Sequence, residues 1–178
     1  ALDELERLLA ADKRWDDLSD LVRRRIDDAV ERGDVAGEVT ALSRLADLQE
    51  KQLGRAEEAL ETWERVVERD PSRAEAFATL VRLYTAAGRH ADAAEASSKR
   101  IALLPREEAI VASYALADLA ETKLADPARQ EQALRHAFEL DRSDAETRRR
   151  LKAFYEKQGR HRELADLHLN YETVPIYA

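Results

Sequence analysis

The chain has 178 residues, 37 of them acidic and 29 basic, for a formal net charge of −8. That balance argues against a general nucleic-acid surface, because phosphate binding needs a basic face that releases counterions. Cysteine is absent, which excludes disulfides, thiolate metal sites and a cysteine nucleophile. No apolar run approaches the roughly 18 residues of a membrane span, so membrane insertion is not expected. No basic stretch followed by an apolar one opens the chain as a secretion signal would. Ala, Leu, Arg and Glu are plentiful, and Gly and Pro are few. Such residues lose little rotamer freedom in a helix, so the expected class is all-α. The excess of arginine over lysine points to a GC-rich bacterial gene, and the lack of methionine to a piece of a longer protein. The cytoplasm is the expected compartment ahead of the periplasm.

In chain order, Leu2, Leu5, Leu8 and Leu9 share one stripe of a first helix that starts inside its apolar pattern. Trp15 opens a second helix with Leu18, Leu21, Val22, Ile26 and Ala29 inward. Gly33 and Gly37 are expected to bracket a polar connection. A helix over 39–53 follows, with Leu42, Leu45, Ala46, Leu48 and Leu53 inward, and Gly54 closes it in the left-handed conformation. Its partner over 55–69 places Ala59 at the helix contact and stops at Asp70-Pro71. Ser72 and Glu75 read as a capping box for a helix to Ala87 that buries Phe77, Leu80, Val81 and Tyr84. The next helix spans 90–104 and ends at Pro105. A helix over 106–124 buries Ile110, Ala112, Leu116, Ala117 and Leu119. Ala125-Asp126-Pro127 replaces the glycine turn, and Pro127 suits the first turn of a helix over 128–140. Ser143 with Glu146 repeats the capping box. Phe154–His161 echoes Leu83–His90, and a last helix over 162–172 precedes the tail TVPIYA. These elements predict about five hairpins, the first truncated, at about 1–33, 34–71, 72–105, 106–142 and 143–172 with a tail at 173–178, in one array over 1–178.

Three landmarks recur at one spacing of 34 residues: Gly54 and Gly88, Ala59 and Ala93, Pro71 and Pro105. That period, with its glycine turn, small residue and closing proline, resembles the tetratricopeptide repeat. The resemblance is strongest from Gly54 to Pro105, where Phe77, Leu80, Val81, Tyr84, Gly88, Ala93 and Pro105 hold the signature positions. It loosens outward: Gln130 and Leu164 stand at the small second-helix position, and Arg148 at an apolar one. The resemblance implies a right-handed α-solenoid whose concave groove, lined by the first helix of each hairpin, binds a partner protein or peptide. Helical phase then points Arg44, Asp47, Lys51, Glu75, Thr79, Arg82, Tyr114, Asp118 and Arg149 into the groove, with Ser43, Glu121, Ala153 beside them. Tyr114, Arg82 and Arg149 are favoured as contacts because aromatic and arginine side chains dominate binding hot spots. The family's carboxylate clamp uses lysine and asparagine, and the only asparagine here is Asn170, in the last helix.

No chemistry stands out. His90 and His161 occupy equivalent places after a repeat turn, and His136 and His168 lie on separate helices, so no metal set converges. The triplets Arg23–Arg25 and Arg148–Arg150 splay around their helices and read as solvated faces paired with Asp27, Asp28, Asp144 and Glu146. No carboxylate pair sits in an apolar setting that would suit acid–base work. The expectation is a non-enzymatic interaction module without cofactor or metal. The alternative is a spacer or self-association module acting through its ends, with the apolar VPIYA tail as a cap.

Overall fold

The computed structural model describes residues 2–172, with side chains from Asp3 to Leu167. Among these there are ten α-helices and one π-helical turn, all arranged as consecutive antiparallel hairpins. We number them α1 (Leu2–Ala11), α2 (Trp15–Arg32), α3 (Val35–Lys51), α4 (Ala56–Arg69), α5 (Ala74–Ala86), α6 (His90–Ile101), α7 (Arg106–Leu119, continued by the π turn Ala120–Leu124), α8 (Pro127–Leu140), α9 (Ala145–Gln158) and α10 (His161–Glu172). The chain divides into two compact units, Ala1–Ala96 and Ser97–Ala178.

A second periodicity emerges from the helix bounds. Helices α3, α4, α5 and α6 begin at 35, 56, 74 and 90, and α7, α8, α9 and α10 at 106, 127, 145 and 161, each about 71 residues later. The shared unit is thus a pair of hairpins. Its two first helices end differently. In the leading hairpin of each pair the turn is wide: Arg55 N–H reaches back to Gln49 O, and Asp126 N–H to Ala120 O. In the trailing hairpin it is tight, with Arg89 N–H on Tyr84 O and Arg160 N–H on Tyr155 O. The tight turns place glycine in the left-handed region, Gly88 at φ +73° and Gly159 at φ +66°.

The cores lie between the helices of each hairpin and between successive hairpins. In the first unit Leu18, Val22, Val39, Leu42, Leu45, Leu60, Val66 and Leu80 are buried, and in the second Leu116, Leu134, Leu151 and Phe154. Ala46, Ala59, Ala93 and Ala94 are fully enclosed in the first unit, and Ala117, Ala133 and Ala137 are buried in the second. Without γ-carbons they let helix backbones approach closely. At the α3–α4 seam the buried polar groups are partnered. Glu38 takes two guanidinium hydrogen bonds from Arg69, at 2.6 and 2.9 Å. Thr62 Oγ1 lies 2.8 Å from Gln49 Oε1.

Several sequence expectations need correction. Gly37 is inside α3, which starts at Val35, four residues earlier than expected. Asp34 caps that helix by accepting from Gly37 N–H, and its carboxylate occupies the space a Cβ at 37 would fill. Neither serine is a cap. Ser72 and Ser143 donate their hydroxyls backward to Asp70 and Asp141, at 2.6 Å each. The cap of α9 is Asp144, and α5 has none from a side chain. Among the described side chains of α1 only Leu9 is buried, while Leu5 and Leu8 are 43% and 50% exposed. Along α7 the buried positions are Ala109, Ser113, Leu116, Ala117 and Ala120, whereas Ile110, Ala112 and Leu119, expected in the core, are only half-buried. Helix α6 ends at Ile101, three residues short of the expected end.

Ala125 closes the wide turn of α7 at φ +50°, a conformation that L residues enter at a cost of roughly 1–2 kcal/mol. Ala125→Gly removes that strain but adds backbone freedom to the unfolded chain worth roughly 0.5–1 kcal/mol. A net stabilisation on the order of 0.5–1 kcal/mol is expected. Gly159→Ala should destabilise by on the order of 1 kcal/mol for the inverse reason. Urea midpoints at unchanged slope check both.

Candidate functional site

The residues assigned to a groove by helical phase fall into two sets, α3 and α5 in the first unit and α7 and α9 in the second. In the first, Arg44 on α3 is exposed and has no partner among the described residues. Asp47 and Lys51 pair with each other one turn apart, at 2.6 Å. Ser43 and Thr79 return their hydroxyls to the backbone at Val39 O and Glu75 O. Glu75 on α5 is exposed and its carboxylate is uncommitted. Arg82 crosses from α5 to α3 and grips both oxygens of Glu50, at 2.6 and 2.8 Å. That grip holds the Glu50 carboxyl below its ordinary value.

In the second unit the same kind of strut recurs. Arg150 on α9 donates to Asp118 on α7 at 2.8 Å and to Glu146 at 2.6 Å, and lies over the Tyr114 ring at 4.6 Å. Tyr114 donates its hydroxyl to Asp144, 2.5 Å from Thr147 Oγ1. Lys157 reaches Glu121 at 2.7 Å, and Gln130 reaches the same carboxylate at 3.0 Å. Arg149 is engaged by Glu146 through two bonds of 2.7 Å. Asp118, Glu121, Arg149, Arg150, Ala153 and Lys157 line a cleft of about 310 Å³ floored by Leu134 and Phe154. Tyr114 and Arg82, favoured as partner contacts by residue type, are therefore holding neighbouring hairpins together. The residues left free are Arg44 and Glu75.

Two further joints explain the echo between Leu83–His90 and Phe154–His161. In the first unit Tyr84 donates to Glu64 of α4 at 2.6 Å while Arg89 covers its ring at 4.7 Å. In the second Tyr155 donates to Glu131 of α8 at 3.2 Å, and Arg160 covers it at 5.2 Å and binds Glu131 as well. Burial, and secondarily the Glu64 carboxylate, push the Tyr84 hydroxyl up from its usual value. The sequence reading missed Glu50, Glu64, Glu131, Arg150 and Lys157. One signal was available: an acid followed by arginine at a separation of 32 occurs at Glu50 and Arg82 and again at Asp118 and Arg150.

The arginine triplets are ion-paired: Arg149 and Arg150 meet Glu146 as expected, while the other members have partners that were not expected. Arg23 meets Glu58 at 3.5 Å and Arg25 meets Glu6 at 2.8 Å; Arg148 donates to Arg142 O. His136 Nδ1 lies 3.3 Å from the buried Ser113 hydroxyl, itself donated to Ala109 O. His168, the Asn170 side chain and the VPIYA tail lie outside the described residues. No group of metal-ligating side chains converges among the described residues, and no described helix is long and apolar enough to cross a membrane.

This hairpin array is similar to solved structures. It is 19% identical to the nearly identical TPR-like repeats of a protein designated a kinesin light chain from Podosopora anserina, over 93% of this chain and 89% of that one, with a TM-score of 0.53. A second structure of those repeats, carrying one substitution, matches at 18% identity over 95% and 90%, with a TM-score of 0.52. The fold is TPR-like. A tetratricopeptide repeat protein from Parabacteroides merdae aligns at 18% identity over 86% of this chain and 64% of that one, with a TM-score of 0.49. No family model matches the sequence, and no curated protein matches it significantly.

The carboxylates at the α7–α9 joint are held low. Arg149 and then Arg150 bring Glu146 to about 2, while Tyr114 lowers Asp144 and Ser143 lowers Asp141. Their unfolded values lie near 4. Depressed carboxylates contribute stability that is present above the unfolded value and lost as pH falls through the folded one. Melting temperature should thus hold from pH 7 to about 5 and fall between about 4.5 and 2. Glu146→Gln should start lower at pH 7 and fall less steeply below pH 4.5, read by circular dichroism melts across that range.

Proposed function

We propose that this chain is a protein-interaction module that holds segments of a partner protein on the first-helix faces of its hairpins. The observation that carries the reading is the division of labour on α3 and α5. Most charged side chains there are tied into struts, yet Arg44 and Glu75 stand exposed and uncommitted. Exposed unpaired charges contribute almost nothing to stability, so they are available to a partner. Arg82, Tyr114 and Asp118 then shape the surface by fixing the hairpins, and Asp47, Lys51, Thr79 and Arg149, which is paired within its own helix, form its polar border. The partner class is protein; the reaction chemistry of an enzyme has no support in this arrangement.

The test is reversal of the free charges. Arg44→Glu with Glu75→Arg should leave the melting temperature within the small range of surface substitutions, about 0.5 kcal/mol. Affinity purification with the full chain as bait, read by quantitative mass spectrometry, should lose its specific partners in the double variant and keep them in Glu61→Arg. Identical partner sets for all three baits would refute the reading.

A second reading, self-association, is favoured by Leu5 and Leu8 on α1, which are half exposed one turn apart. Apolar area of this kind is removed from water by a second copy at roughly 25 cal/mol per Å². Sedimentation of the wild type should then show dimer at high concentration that Leu5→Glu with Leu8→Glu abolishes. A wild-type monomer throughout removes this reading.

A further inference from the structure

The first unit contains a cleft of about 710 Å³ among α1, α2 and α3, larger than the α7–α9 cleft of about 310 Å³. The difference has a structural basis. Asp118–Arg150 and Glu121–Lys157 tie the first helices across the smaller cleft. Among the described residues no ion pair joins α1 to α3. Small residues Ala36, Gly37 and Ala41 line the α3 wall, so side chains do not fill the space.

The charges around this cleft are not equally free. Asp34 is consumed in capping α3 through Gly37 N–H at 2.9 Å. Glu6 is held by Arg25 at 2.8 Å, a contact off the N–H line and so mainly Coulombic. Asp28 has only a long contact, 3.4 Å, to Arg32, whose side chain is 73% exposed. Arg44 is exposed and unpartnered. The donors left with capacity at the cleft are therefore the Arg44 and Arg32 guanidinium groups, with Asp28 held as loosely as Arg32, although the chain as a whole carries −8. Guanidinium forks match a carboxylate in two parallel charge-assisted bonds. The overall negative field disfavours a polyanion such as nucleic acid, which gains affinity by neutralising many phosphates at once.

We propose that the α1–α2–α3 cleft is a recognition site for an aspartate or glutamate side chain of a partner protein, with Arg44 and Arg32 binding the carboxylate and the small α3 wall admitting an adjacent apolar side chain. This rests on the interaction-module reading and names the chemistry of one of its contacts. Arg44 supplies the free donor fork at the cleft. Arg32 exchanges its long contact with Asp28 for the incoming carboxylate.

A random peptide library displayed on phage, selected against the full chain, tests this directly. Enriched peptides should carry Asp or Glu next to an apolar residue. As synthetic peptides they should lose at least tenfold in affinity, by fluorescence polarisation, when that acid becomes Asn or Gln. Arg44→Glu should impose a similar loss and Arg32→Glu a smaller one, while Arg65→Glu on α4 leaves affinity unchanged. A peptide with Lys in place of its acid should bind Arg44→Glu better than wild type. Enriched peptides without an acid, or equal binding by Arg44→Glu, overturn the carboxylate site. If such peptides respond instead to Glu75→Arg, the interaction-module reading stands and this site falls. Failure to enrich any peptide overturns the site, and unchanged partner capture by the Arg44→Glu, Glu75→Arg bait separately ends the broader reading. Preferential capture of single-stranded RNA by Arg44 also overturns it.

Discussion

Each hairpin has two apolar surfaces and can bury only one of them internally. The other must be covered by the next hairpin, so stability accumulates by neighbour contacts and the whole arrangement depends on that obligation. Enclosed alanines set how closely the paired helices approach. Ala46 and Ala59 in the first unit, and Ala117 and Ala137 in the second, are essentially inaccessible. A longer side chain at any of them would overpack a contact with no free volume, at a cost typically of about 1–3 kcal/mol. The large side chains then fill the wedge between hairpins: Trp63 and Leu80 in one unit, Leu134 and Leu151 in the other.

With packing set by alanine and leucine, the polar residues at the edges of the contacts decide what remains for function. Tyr84 with Glu64 and Arg89, and Tyr155 with Glu131 and Arg160, fasten a second helix to the following hairpin. Arg82 with Glu50, and Arg150 with Asp118, fasten successive first helices. Taken singly, half-exposed ion pairs contribute little. Their role is geometric, since a bidentate or ring-stacked arginine fixes one relative position of two helices more tightly than dispersion between aliphatic chains does. A surface assembled in this way is preorganised, so the proposed binding would not require its helices to be ordered first.

Much of this was legible in the sequence, for reasons that differ by element. The 34-residue recurrence of glycine, alanine and proline marks turn, contact and stop, which are local requirements, and so the hairpins from Gly54 to Pro105 could be placed with small errors. The structure then adds a period of about 71 residues, because wide and tight turns alternate. That alternation was hidden: Ala125 adopts a left-handed conformation without being glycine, and Gly37, whose type suggests a turn, lies in a helix. The capping boxes failed because Asp70 and Asp141 outcompete the following helix for the serine hydroxyls. The repeat pattern assigns the candidate surface residues to α3, α5, α7 and α9, but their availability was not readable. Whether Arg82 is free depends on the presence of Glu50 across the helix contact, a partner 32 residues away that no local pattern announces.

The position of the strut shows how such a surface can diverge while the fold is kept. Relative to the turns at Gly88 and Gly159, which are 71 residues apart, the Arg150–Asp118 pair sits three residues earlier than the Arg82–Glu50 pair on both helices. Acid and base have moved together by nearly one helical turn, which keeps their distance and leaves the hairpin spacing intact. In the second unit this shift places Arg150 over Tyr114 and leaves Glu121 to pair with Lys157, so that ion pairs close the cleft. Among the described residues no such pair spans α1 and α3, and there the gap stays open and Arg44 stays free. The open gap and the free Arg44 thus share one feature, the absence of a strut between these first helices, and it is on this feature that the proposed carboxylate site rests.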